Sequence, residues 1–247
     1  MRRFALAIAA LALALPCVAT AGPVLDRIRR DGILSCGAVG RPGFAAMAGD
    51  GPRGRAIDLC KATARAVLGP QGRLSFRLLD VDADFDAARA DRVDLLFLTP
   101  REVAAQRLTG LTTMGIAYED RFAVMVPETS AARSLHDLKD ATICFMIGAP
   151  VWPVLDSAMR LRGTPFRSFG FSEEIEMKDA YDVGRCQAMA GLASELGELR
   201  ASAGVNHLAS RILTEPLGLD PIMILVPAGD AQWRETIRGI QDRRAPG

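Results

Sequence analysis

The sequence predicts an α/β protein of two lobes, each a mainly parallel sheet flanked by helices, with two strands acting as a hinge. Three observations lead there. Strand-like and helix-like segments alternate from residue 33 to residue 98. A second strand-helix-strand-helix-strand unit starts near residue 141. Two further apolar strands, over 121–127 and 221–227, belong to neither unit and suit the task of carrying the chain out of one lobe and back. Alternation of this kind implies parallel strands with helices packed on them. A single doubly wound domain is the alternative reading.

Taken in order, residues 24–30 read as a short amphipathic helix that stops before Asp31-Gly32, and 33–39 as a buried strand. A Gly- and Pro-rich loop follows over 40–54. Residues 56–68 are helical, because Ile57, Cys60, Ala64, Val67 and Leu68 fall near one face, and Gly69-Pro70 ends the run. Residues 74–79 alternate as a strand, 85–92 form a short helix, and 93–98 a continuous apolar strand. In the second half, Ser134 to Leu138 resembles a capped short helix. Strands are expected over 141–147, 166–171 and 186–190, with helices over 151–162 and 173–183 between them. A last helix over 231–240 sets Trp233, Ile237 and Ile240 on one side, where Trp233 reads as core.

The N-terminus has the form of an export signal. Met1-Arg2-Arg3 is a positive head, an apolar run of about a dozen residues ends at Leu15, and Ala19-Thr20-Ala21 offers small residues for cleavage after Ala21. That run is shorter than the roughly 20 residues a membrane span needs. Pro16 before Cys17 fits a lipid-attachment signal poorly. The mature chain is therefore expected in the periplasm, with no stable membrane insertion. Its net charge is +1 with both signs scattered, so it lacks the basic stripe of a nucleic-acid binder. Cys36, Cys60, Cys144 and Cys186 remain after cleavage, an even number in an exported chain. Of three possible connectivities, the simplest joins Cys36 to Cys60 and Cys144 to Cys186. Each would close a loop of about 25–40 residues, stabilising by about 3–4 kcal/mol in the chain-entropy model. A zinc site is the competing use of these cysteines, but there is no C-x-x-C, and His136 and His207 are the only histidines. No metal or cofactor is expected.

Several segments resemble, in order, the periplasmic general L-amino-acid-binding proteins of ABC importers, the family 3 solute-binding proteins. They are Leu25-Asp26-Arg27-Ile28, Gly32 to Gly37, Arg41-Pro42-Gly43-Phe44-Ala45, Asp58-Leu59-Cys60, Val93-Asp94-Leu95-Leu96, Ala141-Thr142-Ile143-Cys144, Gly184-Arg185-Cys186, Glu215-Pro216-Leu217-Gly218 and Gly229 to Trp233. The series covers nearly the whole mature chain, which is shorter than typical members at its C-terminus. The resemblance implies a type II periplasmic-binding-protein fold and favours the same two cysteine pairs. The lobes then comprise residues 22–125 with 222–247, and 126–221.

The resemblance also implies a site, and this chain departs from it. Phe44 stands where an aromatic residue would stack on the ligand. The carboxylate-binding arginine falls at Gln106, or at Arg107 if one residue is inserted, with Arg101 a further candidate. The polar run before it is reduced to Thr99 beside Phe97. The second-lobe turn is Gly148-Ala149-Pro150, without hydroxyls and with one backbone donor lost to Pro150. Leu192 occupies the position of the ammonium-binding aspartate, Gln187 replaces the acid after Gly184-Arg185-Cys186, and Glu195 is a substitute one turn on. Trp152 is placed to floor a changed pocket. Phe44, Phe97, Thr99, Arg101, Arg107, Gly148, Trp152 and Leu192 are thus the expected ligand-binding set.

An enclosed ammonium without a carboxylate costs several kcal/mol, so ordinary L-amino acids are expected to bind weakly. Two functions compete. One is a solute-binding component with altered specificity, partnered by a small-molecule solute and an ABC permease. The other is a non-transporting accessory or sensor, for example of a periplasmic dehydrogenase system, that binds a protein partner. Catalysis is not expected, because no nucleophile-base pair is visible.

Overall fold

The computed structural model describes residues 22–79, 93–202 and 208–242. The expected export signal with Cys17, the helix expected over 85–92, and His207 lie outside the described residues. Among the described residues no helix is long and apolar enough to cross a membrane.

Helix α1 (Pro23–Asp31) starts with proline at its first turn, where the missing N–H costs nothing. It ends at Gly32, whose φ of 64° lets its N–H reach the Ile28 carbonyl. Strand β1 (Ile33–Val39) matches its expected bounds. The loop after it contains a small hairpin, β2 (Ala46–Ala48) with β3 (Gly51–Arg53), that the Gly and Pro content hides. Helix α2 (Arg55–Leu68) buries Ile57, Cys60 and Ala64. It begins hard against the preceding loop: a Cβ on Gly54 would lie 2.3 Å from the Phe44 carbonyl oxygen, at a φ of 116°. Strands β4 (Arg73–Leu79) and β5 (Leu95–Leu98) complete the first unit.

Helix α3 (Pro100–Ala105) follows, then the long strand β6 (Leu111–Pro127). The short helix expected near Ser134 is a single 3-10 turn, His136–Leu138. Asp137 holds its start, accepting from the Arg133 N–H, the Ser134 N–H and the Ser134 hydroxyl at 2.8 Å each. The second unit comprises β7 (Thr142–Met146), α4 (Val151–Leu161), β8 (Arg167–Phe171), α5 (Glu174–Asp182) and β9 (Ala188–Leu192). Helix α6 (Ala193–Ser202) and strand β10 (Ser210–Ile212) come next. Strand β11 (Gly218–Pro227) and helix α7 (Ala231–Asp242) close the described chain.

The strands form one continuous sheet in the order β4-β1-β5-β11-β6-β9-β7-β8, with β10 also on β6. Separate sheets had been the expectation. The joint is the antiparallel pair of β6 and β11, registered from Leu111 against Pro227 to Phe122 against Gly218. Away from it the strands are parallel: β1 with β4 and β5, and β7 with β8 and β9. Two apolar clusters draw their buried residues from 25–98 and 222–240, one on each face of the sheet. Two others draw theirs from 122–217. The cores therefore change hands along β6 between Tyr118 and Phe122. This is a two-lobed α/β fold with two shared strands.

Trp233 is fully buried, and its indole N–H donates to the Asp94 carbonyl at 3.0 Å. The Asp94 carboxylate accepts from the Ser35 N–H at 2.8 Å and pairs with Arg27. Burial still pushes its pKa up, against the pull of those two partners. Each half also carries one disulfide. Cys36–Cys60 ties β1 to α2 with Cα atoms 6.5 Å apart, and Cys144–Cys186 ties β7 to the turn before β9 with Cα atoms 5.8 Å apart. Both spans suit a disulfide. Alkylating the unfolded mature protein without reductant should leave its intact mass unchanged; four alkyl adducts would contradict both bridges.

Candidate functional site

A cavity of about 250 Å³ opens where the two halves meet. The first half contributes Arg41, from the loop after β1. The rest comes from the second half: Phe122 on β6, Met146 at the end of β7, the turn at Ala149-Pro150-Val151, Ala190 to Leu192 on β9, Glu174 and Met177 on α5, and Glu195, Leu196 and Leu199 on α6. Most of the wall is apolar. That volume is at the small end for a ligand pocket, of which most hold about 300–1,000 Å³.

Two arginines reach this region from the first half, and both are already engaged. Thr99-Pro100-Arg101-Glu102 builds a capping box. The Glu102 N–H donates to the Thr99 hydroxyl at 3.2 Å, and the Thr99 N–H donates to Glu102 Oε2 at 2.8 Å. That fixes the first turn of α3 and presents its second and third residues. Glu102 turns its other oxygen to Arg41 Nη2 at 2.7 Å, in a pair that is nearly buried on both sides. Arg101 forms an ion pair with Asp220 of β11, lies 4.8 Å from the Phe122 ring, and donates to the Pro150 carbonyl at 3.4 Å. One side chain thus touches a hinge strand from each direction and the turn of the opposite half.

The carboxylates outnumber these cations. Asp220 is 3 % exposed at its side chain, and its Oδ2 has no hydrogen-bond partner. Burial pushes its pKa up, against the attraction of Arg101 and Arg41. Asp120 is buried and accepts from the Ser194 hydroxyl at 2.5 Å and from the Arg121 N–H at 2.8 Å. Glu195 reaches back to the Leu192 N–H at the start of α6. Its side chain is open to solvent through the cavity, yet the enclosing walls raise its pKa, opposed by Arg41 and the Leu192 N–H.

The expected residues distribute unevenly around this site. Leu192 lines the cavity and Arg101 sits at its edge. Gly148 shapes the adjoining turn with a φ of 82°. Thr99 spends its hydroxyl on the helix cap. Phe44 is fully buried in the first core, stacked 5.4 Å from Tyr118 and edge-on to Phe97 at 5.7 Å. Phe97 is buried with it. Trp152 stacks on Phe145 at 4.8 Å beside Phe166, and is not among the residues lining the cavity. Arg107 is exposed just past α3 in a left-handed turn, with φ 50°. Sequence reasoning missed Arg41, Glu174, Asp120 and Asp220. A single acid inside an otherwise apolar strand, as at Asp220 in Gly218–Pro227, was the available signal.

No family model matches the chain. It is 27% identical over 236 residues to YhdW of Escherichia coli, provisionally named an amino-acid ABC transporter-binding protein, covering 94% of this chain and 69% of that one. It is also 27% identical over 234 residues to the general L-amino acid-binding periplasmic protein AapJ of Rhizobium johnstonii, covering 94% and 68%. Among solved structures, an ABC transporter / periplasmic binding protein from Brucella ovis with glutathione bound matches with a TM-score of 0.67 at 27% identity, covering 87% of this chain and 68% of that one. The chain thus resembles amino-acid ABC-transporter binding proteins along nearly its whole described length, and spans about two thirds of theirs.

Glu195 provides a test of the electrostatics. Its pKa in the folded state is raised above the ordinary 4.5, so the wild type loses stability as pH rises from that value through the raised one. Glu195→Gln has no such loss. Urea unfolding at pH 4 and pH 7 should show the variant gaining stability relative to wild type at the higher pH; an unchanged difference would contradict the assignment.

Proposed function

We propose that this protein is the exported solute-binding component of an ABC-type importer, not an enzyme, and that its two lobes close over one small solute with a specificity unlike that of its amino-acid-binding relatives. The observation that carries this reading is the cavity beside the hinge, walled by the second half and met by Arg41 of the first, between halves joined by the strand pair that a clamp requires. The lobes part on β6 between Tyr118 and Phe122, a few residues before the boundary expected at 125, and on β11 between Leu217 and Ile222. The chain before Gly22 is the signal that sends it to the periplasm, where a permease is its partner.

The altered specificity follows from the wall. Leu192 holds no ammonium, Ala149 and Pro150 offer no hydroxyl, and both arginines near the cavity are paired with protein carboxylates, Arg41 keeping only a buried Nε–H without a partner. An α-amino acid must therefore displace an internal ion pair to gain a guanidinium. The same observation favours the second reading, a non-transporting accessory or sensor that keeps the closed pairs and binds a protein partner.

A thermal-shift screen of amino acids, amines, small peptides and organic acids separates the two. A true solute at one hundred times its Kd adds about 2.7 kcal/mol, a rise of roughly 5–10 °C for a chain of this size. At least one class should produce it, with ordinary L-amino acids below it. No shift across the screen would contradict the solute-binding reading and leave the accessory one.

A further inference from the structure

We propose that the cleft selects a cationic solute lacking a free carboxylate, an amine or guanidine with a short apolar body, whose head group is held by Glu195 and Glu174. This rests on the solute-binding reading above.

Four features converge on that charge class. First, Arg41 is the one cation among the described residues lining the cavity, and Glu102 already holds it at 2.7 Å. Glu174 and Glu195 line the same cavity, so its wall carries surplus negative charge. Second, Asp220 occupies Arg101 from inside the protein, as a solute carboxylate would from outside, and Phe122 covers that guanidinium. A solute acid arriving there meets a site already filled. Third, the helix end facing the cleft is poor in donors. Helix α4 opens Pro150-Val151-Trp152-Pro153, so two of the four residues that normally leave N–H groups free have none. Helix N-termini attract anions through those groups, and this one is half disarmed. Fourth, the remaining wall is apolar, from Met146, Met177, Leu192, Leu196 and Leu199. It suits a methylene chain, and it leaves a second charged group without a partner.

Glu195 fits the role of anchor. The Leu192 N–H orients its carboxylate, and a charge-assisted hydrogen bond from an ammonium or guanidinium adds to that one without displacing it.

The test is calorimetric titration of the full mature protein with matched pairs whose amine carries a single charge: pentylamine against norleucine, and isopentylamine against leucine. Each pair differs only by the α-carboxylate. At least one amine should bind ten-fold or more tighter than its amino acid. Glu195→Gln should weaken that amine at least ten-fold with the melting temperature not lowered. Asp220→Asn, which releases Arg101, should raise affinity for the amino acid and narrow the gap. Amino acids binding as tightly as their amines would overturn the inference, as would an amine indifferent to Glu195→Gln. Silence toward all four probes, while some other solute in the thermal screen binds, would overturn the charge class and leave the solute-binding reading intact. Silence toward every small molecule would remove both.

Discussion

The ion pair between Arg101 and Asp220 is the point on which the arrangement turns. Asp220 lies inside β11, one of two strands shared by both lobes, and is almost wholly buried. A carboxylate there is costly unless a cation meets it. Arg101 comes from the first turn of α3, and its guanidinium also covers Phe122 of β6 and reaches the Pro150 carbonyl of the second lobe. The helix cap, the hinge strands and the cleft wall are thereby held to one another by one charged side chain. The second pair, Arg41 with Glu102, extends the same network from the neighbouring residue of α3.

This network also sets what the cleft can offer. In a two-lobed clamp the solute completes a surface that the empty protein leaves unfinished. Here both nearby arginines are already paired with internal acids, apart from Arg41 Nε, while Glu195 and Glu174 line the cavity. The raised pKa of Glu195 has the same origin: a carboxylate in a concave, largely apolar wall with too little positive charge nearby. Such a group is strained without a cationic partner, as binding groups often are. The relatives in sequence carry names tied to amino-acid transport, and the difference proposed above is one of pocket, not of frame.

Much of the frame was legible in the sequence. β1 and α2 are apolar and periodic, Gly32 ends α1 just before β1, Gly69 ends α2, and the disulfide partners lie in the same units. Failures came where pattern is weak. The first half of β6, Leu-Thr-Thr-Met-Gly-Ile-Ala-Tyr-Glu-Asp, is half-exposed and broken by a glycine, so no period announces it. That omission hid the single continuous sheet. Helix α3 is too short for periodicity, although its Thr-Pro-Arg-Glu start carries both a capping box and proline at the first turn. The site was less legible still. Spacing from Asp94 pointed past the cleft to Gln106 and Arg107, because the short helix between them changes where the chain turns. Phe44 looked like a stacking surface but is enclosed by Tyr118 and Phe97. Asp220 comes from a strand more than a hundred residues away, and no local pattern can pair it with Arg101.

The most direct test of this account is a double-mutant cycle on Arg101 and Asp220, with each changed to Ala alone and together and stability measured by urea unfolding. Neighbours in one ion pair couple by about 0.5–3 kcal/mol, and Arg101 is partly exposed, so a coupling of about 1 kcal/mol or more is expected. Additive losses, with coupling near zero, would show that the two residues act independently and that the centre of the cleft is not held as described.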